Sequence, residues 1–178
     1  MLVKPTFSLL FNAEFRDILF EVLNLLKGIV GNFDFQSPEY NFPHLENYYA
    51  REMGKPLRRL YLSAEQLIEA DPCSDNLNPL KLKLLSMEIE KEYSLRGNRI
   101  VNIDPGWVDK YHLFLTTHKE RGGRLYLGKG IFAEMEYLYF GKDFRDLFWT
   151  YKDYRFREVK NFFLTVRKKY LHQLKGAV

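Results

Sequence analysis

The sequence predicts an α+β domain, a mostly antiparallel mixed sheet packed by three main helices, and three observations carry that expectation. A strand-like segment runs straight into an amphipathic helix near the N-terminus. The second half alternates apolar and polar residues between tight turns. A second long amphipathic helix closes the chain. A doubly wound parallel fold would instead need strands and helices to alternate throughout. No repeat, low-complexity tract or linker divides the 178 residues, so 1–178 reads as a single domain.

Residues 6–11 (Thr-Phe-Ser-Leu-Leu-Phe) read as the opening strand, with Asn12 as a helix cap and Glu14 in the first turn. In helix 13–30, Phe15, Ile18, Leu19, Val22, Leu26 and Ile29 recur at three- and four-residue steps on one core-facing stripe. Residues 31–44 mix Gly, Asn, Asp, Ser and Pro with aromatics and read as a loop with room for one short strand; a short helix, 45–53, ends at Gly54. Residues 57–62 suit a strand, 64–70 one or two helical turns, and Asp71–Asn78 a surface loop. Asn78 followed by Pro79 is a cap and first-position pair for a helix running to about Leu95, stopped by Gly97. Strands follow at 99–103, in part of 107–117, and at 124–127 and 131–140, before a basic helix at about 155–174. There Val159, Phe162, Phe163, Val166, Tyr170 and Leu174 form the apolar stripe.

Composition narrows the class. With 46% apolar and 28% charged residues the chain is ordinary globular material. One cysteine, Cys73, excludes an internal disulfide and, with no secretory leader, points to a reducing cytoplasm. No apolar run reaches the roughly 20 residues needed to span a bilayer, so no membrane partner is expected. The net charge of +4 is uneven: residues 151–178 hold eight Lys/Arg against two Asp/Glu. Such a segment can meet nucleic acid or anionic lipid, although a solvated helix face is the commoner explanation.

Most motif tests return nothing. Residues 123–130 imitate a phosphate loop, but Gly130 stands where a hydroxyl residue would hold magnesium, and Arg-Leu-Tyr-Leu alternates like a strand. His44, His112, His118 and His172 lie far apart, and no Cys/His spacing suggests a metal site. Three polar groupings remain. In Asn102-Ile103-Asp104-Pro105-Gly106 an apolar strand meets a carboxylate; this is either a strand end presenting Asp104 to a cation or ligand donor, or an Asp-Pro-Gly turn, which the spacing favours. Around Gly128-Lys129-Gly130 a hairpin would set Leu127 opposite Ile131 and Arg124 opposite Glu134, with Tyr126 and Phe132 sharing a face. Arg124 is then either half of a cross-strand pair or a fork for phosphate or carboxylate. Lys83, Ser86, Met87 and Glu90 share one helix face, which on a solvated surface needs no function.

Five stretches carry a resemblance: Tyr48-Tyr49-Ala50-Arg51-Glu52-Met53-Gly54, Asn102 to Gly106, Arg124-Leu125-Tyr126-Leu127-Gly128, Gly130-Ile131-Phe132-Ala133-Glu134, and Trp149-Thr150-Tyr151-Lys152-Asp153-Tyr154. Together they resemble the signature blocks of a prokaryotic domain-of-unknown-function family, the one catalogued as four-four-one-six, over nearly the whole chain. The resemblance implies positions and not a reaction. The family pattern has Lys, Thr, Asn and Glu where this chain has Lys83, Ser86, Met87 and Glu90, and a His where it has Gly123. Trp107 replaces a tyrosine and Lys152 a proline, so the chain is a divergent member. If the missing amide and imidazole are catalytic in relatives, this protein is altered or inactive; if they pack or bind, it retains the role.

Three functions compete. The first is an enzyme or specific binder for an anionic, phosphate-bearing, nucleotide-like ligand, with Asp104 and Glu134 as catalytic candidates. Arg124, Lys83, Glu90, Lys119 and Tyr126 would bind the ligand, and Mg2+ could accompany its phosphate. The second is an RNA-binding or ribonucleoprotein-associated module using 151–175. The third is a structural or assembly subunit. Convergence of Asp104, Arg124, Glu134, Lys83 and Glu90 on one pocket is the discriminating observation.

Overall fold

The computed structural model describes residues 1–42 and 46–176, with the side chains of 46 and 47 left aside. His44 and the first residue of the expected 45–53 helix lie outside the described residues. In order, the elements are β1 (Leu2–Asn12), α1 (Arg16–Val30), β2 (Phe33–Gln36), β3 (Tyr40–Asn41), α2 (Glu46–Met53), β4 (Leu57–Ala64), β5 (Ile68–Glu69) and α3 (Pro79–Glu92). Then come β6 (Ser94–Leu95), β7 (Asn98–Arg99), β8 (Val101–Val108), β9 (His112–Thr117), β10 (Leu125–Gly128), β11 (Ile131–Phe140), β12 (Asp143–Asp146), a 3-10 turn (Lys152–Arg155) and α4 (Arg157–Gly176).

The fold is α+β. Its main sheet runs β10-β11-β9-β8-β1-β4-β2, with β12 joining β11, β3 joining β4 and β5 joining β1. The described ladders are all antiparallel. Because strand side chains alternate between faces, the central strands divide cleanly. Phe7, Leu9 and Phe11 of β1, Leu60 and Leu62 of β4, and Val101 and Ile103 of β8 form one core with Leu19, Val22 and Leu26 of α1 and Leu82 and Ile89 of α3.

The opposite face is covered only at its two ends. At one end, Val159, Phe163 and Val166 of α4 pack with Tyr61, Leu113, Leu115 and Tyr137. At the other, Met53 at the end of α2 packs with Leu10, Phe42 and Leu57. Between them lie Ser8, Arg59, Asn102 and Asp104, polar residues on the same face of adjacent strands. No described helix is long and apolar enough to cross a membrane.

Several expectations are corrected. β1 begins at Leu2 rather than residue 6, and α1 begins at Arg16 rather than 13. Asn12 does not cap that helix: its Oδ1 accepts from the Glu14 amide and its Nδ2 donates to Met53 O, so it closes the strand instead. Residues 64–70 are not helical; the apolar Ile68 pairs with Val3 in β5. The loop 31–44 contains two short strands, which use the far edge of β4. α3 stops at Glu92, because Ser94-Leu95 pair with Asn98-Arg99 around an Arg96-Gly97 turn. The C-terminal helix starts at 157, after the 3-10 turn, and runs to 176.

Candidate functional site

The expected Asp-Pro-Gly turn is strand. Asp104, Pro105 and Gly106 pair with Ser8, Phe7 and Thr6 of β1, so β8 runs through to Val108. The hairpin chemistry of the tripeptide is overridden by an eight-residue ladder on one side. Its effect falls on the other side, where β9 pairs only with Gly106, Trp107 and Val108. Proline has no amide hydrogen to continue that ladder. Pro105 O instead accepts from Thr116 Oγ1 at 2.7 Å. Gly106 permits the closest approach of the two strands, since a Cβ there would lie 2.1 Å from Phe114 O.

Helix α3 fills the gap where β9 departs. Ile103, whose amide and carbonyl would otherwise be orphaned, donates to Glu90 Oε1 at 2.5 Å and accepts from Lys83 Nζ at 3.0 Å. Residues seven apart lie on one helix face, two turns separated, so a single face of α3 supplies both partners. That face is buried, not solvated: Lys83 is 3% and Glu90 7% exposed. Its Asn78 cap accepts from the Lys81 amide, as expected from the Asn-Pro pair.

From Lys83 a polar network spreads over the sheet. Lys83 Nζ reaches Asp104 Oδ1 at 3.3 Å, and Asn102 Nδ2 donates to Asp104 Oδ2 at 2.7 Å. Asn102 Oδ1 accepts from Arg99 Nη1 at 2.6 Å, and Arg99 grips Glu52 with two bonds of 2.7 and 2.9 Å. Two strands away, Arg59 donates to Ser8 Oγ at 2.9 Å and lies 3.0 Å from Asp153 Oδ2, with its guanidinium 4.7 Å from the Phe42 ring centre.

The register places a third group on the same face: Gly106 faces Leu115, and Leu115 faces Glu134. The β10–β11 hairpin turns on Lys129 and Gly130, both in the left-handed region, with Gly128 rather than Leu127 opposite Ile131. Leu127 is the bulged residue, and beyond it the register returns to Tyr126 opposite Phe132. Arg124 thus meets Glu134 as expected, at 2.6 Å, both side chains almost fully buried.

The last wall is the segment after β12. β11 bulges at Glu136, which frees carbonyls for that segment: Trp149 Nε1 donates to Met135 O at 2.7 Å and Thr150 Oγ1 to Glu136 O at 2.6 Å. Arg155 clasps the same segment through the carbonyls of Thr150, Leu147 and Phe148. Tyr151, Lys152, Asp153 and Tyr154 are thereby held over the sheet.

The result is a cleft of about 330 Å³ between the two covered ends of the polar face. Six cationic residues line it (Arg59, Lys83, Arg99, Lys119, Arg121 and Lys152) against three carboxylates, Asp104, Glu134 and Asp153. Phe42, Tyr49, Trp149, Tyr151 and Tyr154 add rings, and His118 stands at the mouth. Burial alone would push the Asp104 carboxyl up, but Lys83, Arg59 and the Asn102 amide outweigh it and hold the group below the usual aspartate value. Burial and the neighbouring Lys83, Lys119 and Arg99 lower His118, favouring the neutral imidazole. Burial raises Glu90 despite Lys83 beside it.

Of the residues singled out from the sequence, Asp104, Glu134, Lys83 and Lys119 line this cleft. Arg124 sits behind Glu134, its guanidinium bonded to Glu134, to Tyr151 Oη and to Lys119 O. Glu90 is spent on Ile103 and on Arg99, and Tyr126 is exposed on the edge strand, ring to ring with Phe132. Met87 and Gly123, where the sequence resemblance implied an Asn and a His, are not among the lining residues. Among the described residues no group of three or more His, Cys, Asp or Glu is placed to hold a metal ion. The sequence reading missed Arg59, Arg99 and His118. Adjacent Arg58 and Arg59 inside an apolar strand were a usable signal, since alternation must send one of them to each face.

A family model described as Domain of unknown function (DUF4416) matches residues 2–170. The chain belongs to that family. The match includes every residue that lines the cleft, in agreement with the signature blocks in the sequence. No curated protein and no solved structure matches the chain.

Proposed function

We propose that this member of the DUF4416 family binds an anionic, phosphate-bearing, nucleotide-like small molecule in the cleft. The observation that carries the reading is the disposition of charge. Arg59, Lys83 and Arg99 are each paired with a carboxylate, whereas Lys119, Arg121 and Lys152 at the rim form no ion pair among the described residues. Unpaired cations around a concavity attract and retain an anion. The volume and the rings of Tyr49, Trp149 and Tyr151 suit a ligand with a planar or sugar portion. Magnesium, where it accompanies such a ligand, would be carried by the phosphate oxygens at the rim. The lone exposed Cys73 fits a cytoplasmic protein.

RNA binding through 151–175 has less support, because half of its eight cations are occupied. Arg157 pairs with Asp143, Lys160 with Asp146, Arg155 holds three carbonyls, and Arg167 stacks on Tyr139.

A thermal-shift panel of nucleotides, sugar phosphates and inorganic phosphate, with and without magnesium, tests the reading. A ligand at about a hundred times its Kd should stabilise the protein by about 2.7 kcal/mol. The triple variant Lys119→Ala, Arg121→Ala, Lys152→Ala should fold and lose the response. A panel that leaves the parent unmoved removes the proposal and returns the structural-subunit alternative.

A further inference from the structure

We infer that the ligand enters with its phosphate at the rim and presents two adjacent hydrogen-bond donors to the Asp104 carboxylate at the floor. This orientation rests on the anionic-ligand reading above. It follows from which polar groups in the cleft still have bonding capacity. At depth each cation already faces a carboxylate: Lys83 bonds Ile103 O and Asp104, Arg59 bonds Ser8 and lies against Asp153, and Arg99 bonds Glu52 and Asn102. A phosphate at the floor would compete with these carboxylates for charge already compensated and would face Asp104 besides. The lining cations that form no ion pair among the described residues, Lys119, Arg121 and Lys152, are at the mouth.

The floor has unspent acceptor capacity. Each Asp104 oxygen takes one bond, Oδ1 from Lys83 and Oδ2 from Asn102, and an ionised carboxylate offers about four lone-pair sites. The side chain is also the least covered of the deep groups, 32% exposed against 3% for Lys83 and 9% for Arg59. A carboxylate open on one edge takes two parallel donors best. Two chemistries supply them beside a phosphate: the vicinal diol of a ribose and the ring N–H plus amino group of a guanine.

Matched ligand pairs decide, measured by calorimetry on the parent, on Asp104→Asn and on the rim triple variant. The pairs are ribose against 2-deoxyribose 5-phosphate, the corresponding nucleoside monophosphates, and guanosine against inosine monophosphate. Removing one donor should weaken binding to the parent about tenfold, as expected for a hydrogen bond to a charged group. Asp104→Asn should abolish that gap, and the rim variant should weaken both members equally while keeping it. A gap in the sugar pairs identifies the diol as the source, and a gap in the base pair identifies the guanine edge. If phosphate compounds bind without any gap, or the gap survives in Asp104→Asn, the orientation is overturned while the anionic-ligand reading stands. If no phosphate compound binds, both fall. The ligand pairs are compared on the parent protein, so the result survives poor folding of either variant.

Discussion

Single residues settle where the sheet opens, and Pro105 with Gly106 shows how. Pro105 cannot donate to β9 and is tolerated because its nitrogen faces the side where the ladder has ended, while its carbonyl still finds Thr116. One residue later the strands close again, and only glycine fits. Gly106→Ala would drive a Cβ against the Phe114 carbonyl, so β8 and β9 must separate. Overpacking of this kind costs about 1–3 kcal/mol, and backbone is a less yielding neighbour than a side-chain tip. Urea denaturation of Gly106→Ala should therefore show a loss at or above that range, with an unchanged m-value. A loss below about 0.5 kcal/mol would mean the strands tolerate the separation.

Among the elements, α3 links packing to the cleft. Its Leu82 and Ile89 join the apolar core while Lys83 and Glu90 complete the backbone bonds of Ile103. The helix is positioned by Asn78, fully buried, whose Oδ1 caps the Lys81 amide and whose Nδ2 ties down the carbonyls of Ser74 and Asn76. Cap removal costs about 1 kcal/mol, up to about 2 in well-ordered hosts. Asn78→Ala should lie at the upper end, since two carbonyls lose their donor as well. It should also weaken any ligand held at Asp104, because Lys83 follows directly on the displaced first turn. Asn78→Ser, which restores only the cap acceptor, should recover part of the stability. Equal losses in the two variants would show that the cap bond contributes little.

At the scale of the whole molecule, the pH dependence of stability should carry the mark of Glu136. This carboxyl is buried in the β11 bulge, accepts from the Tyr151 amide through Oε2 and leaves Oε1 unpartnered. Burial pushes its pKa up to about 8 from an ordinary 4.5, with Glu134 and Asp153 adding to the rise. Between those two values the unfolded chain has released a proton that the folded chain retains. Stability therefore falls as pH rises through that window, by on the order of 5 kcal/mol in total. Asp104, lowered in the fold, works in the opposite direction and only in acid: its contribution is lost as pH falls below the ordinary aspartate value of 3.8. Thermal melts of Glu136→Gln, which keeps the neutral shape, should be flatter than the parent between pH 5 and 8. Parallel profiles would exclude Glu136 as the source.

The sequence by itself determined the periodic elements of this protein: the stripes of α1 and α4, the Asn78-Pro79 start of α3, the 131–140 strand and the Arg124–Glu134 pairing. Each is written in spacing, because a helix or hairpin constrains neighbours along the chain. It also picked out Asp104, Glu134, Lys83 and Lys119, though not what each would face. Tertiary structure alone decided that Asp104-Pro105-Gly106 is strand, because the ladder that overrides the turn comes from β1, nearly a hundred residues earlier. It decided that Lys83 and Glu90 are buried partners of a strand edge and that Arg124 is spent behind Glu134. It brought Arg59 and Arg99 into the cleft beside them. The reason is physical: a side chain's bonding capacity depends on partners distant in sequence, and what is left over after those bonds form is what a ligand can use.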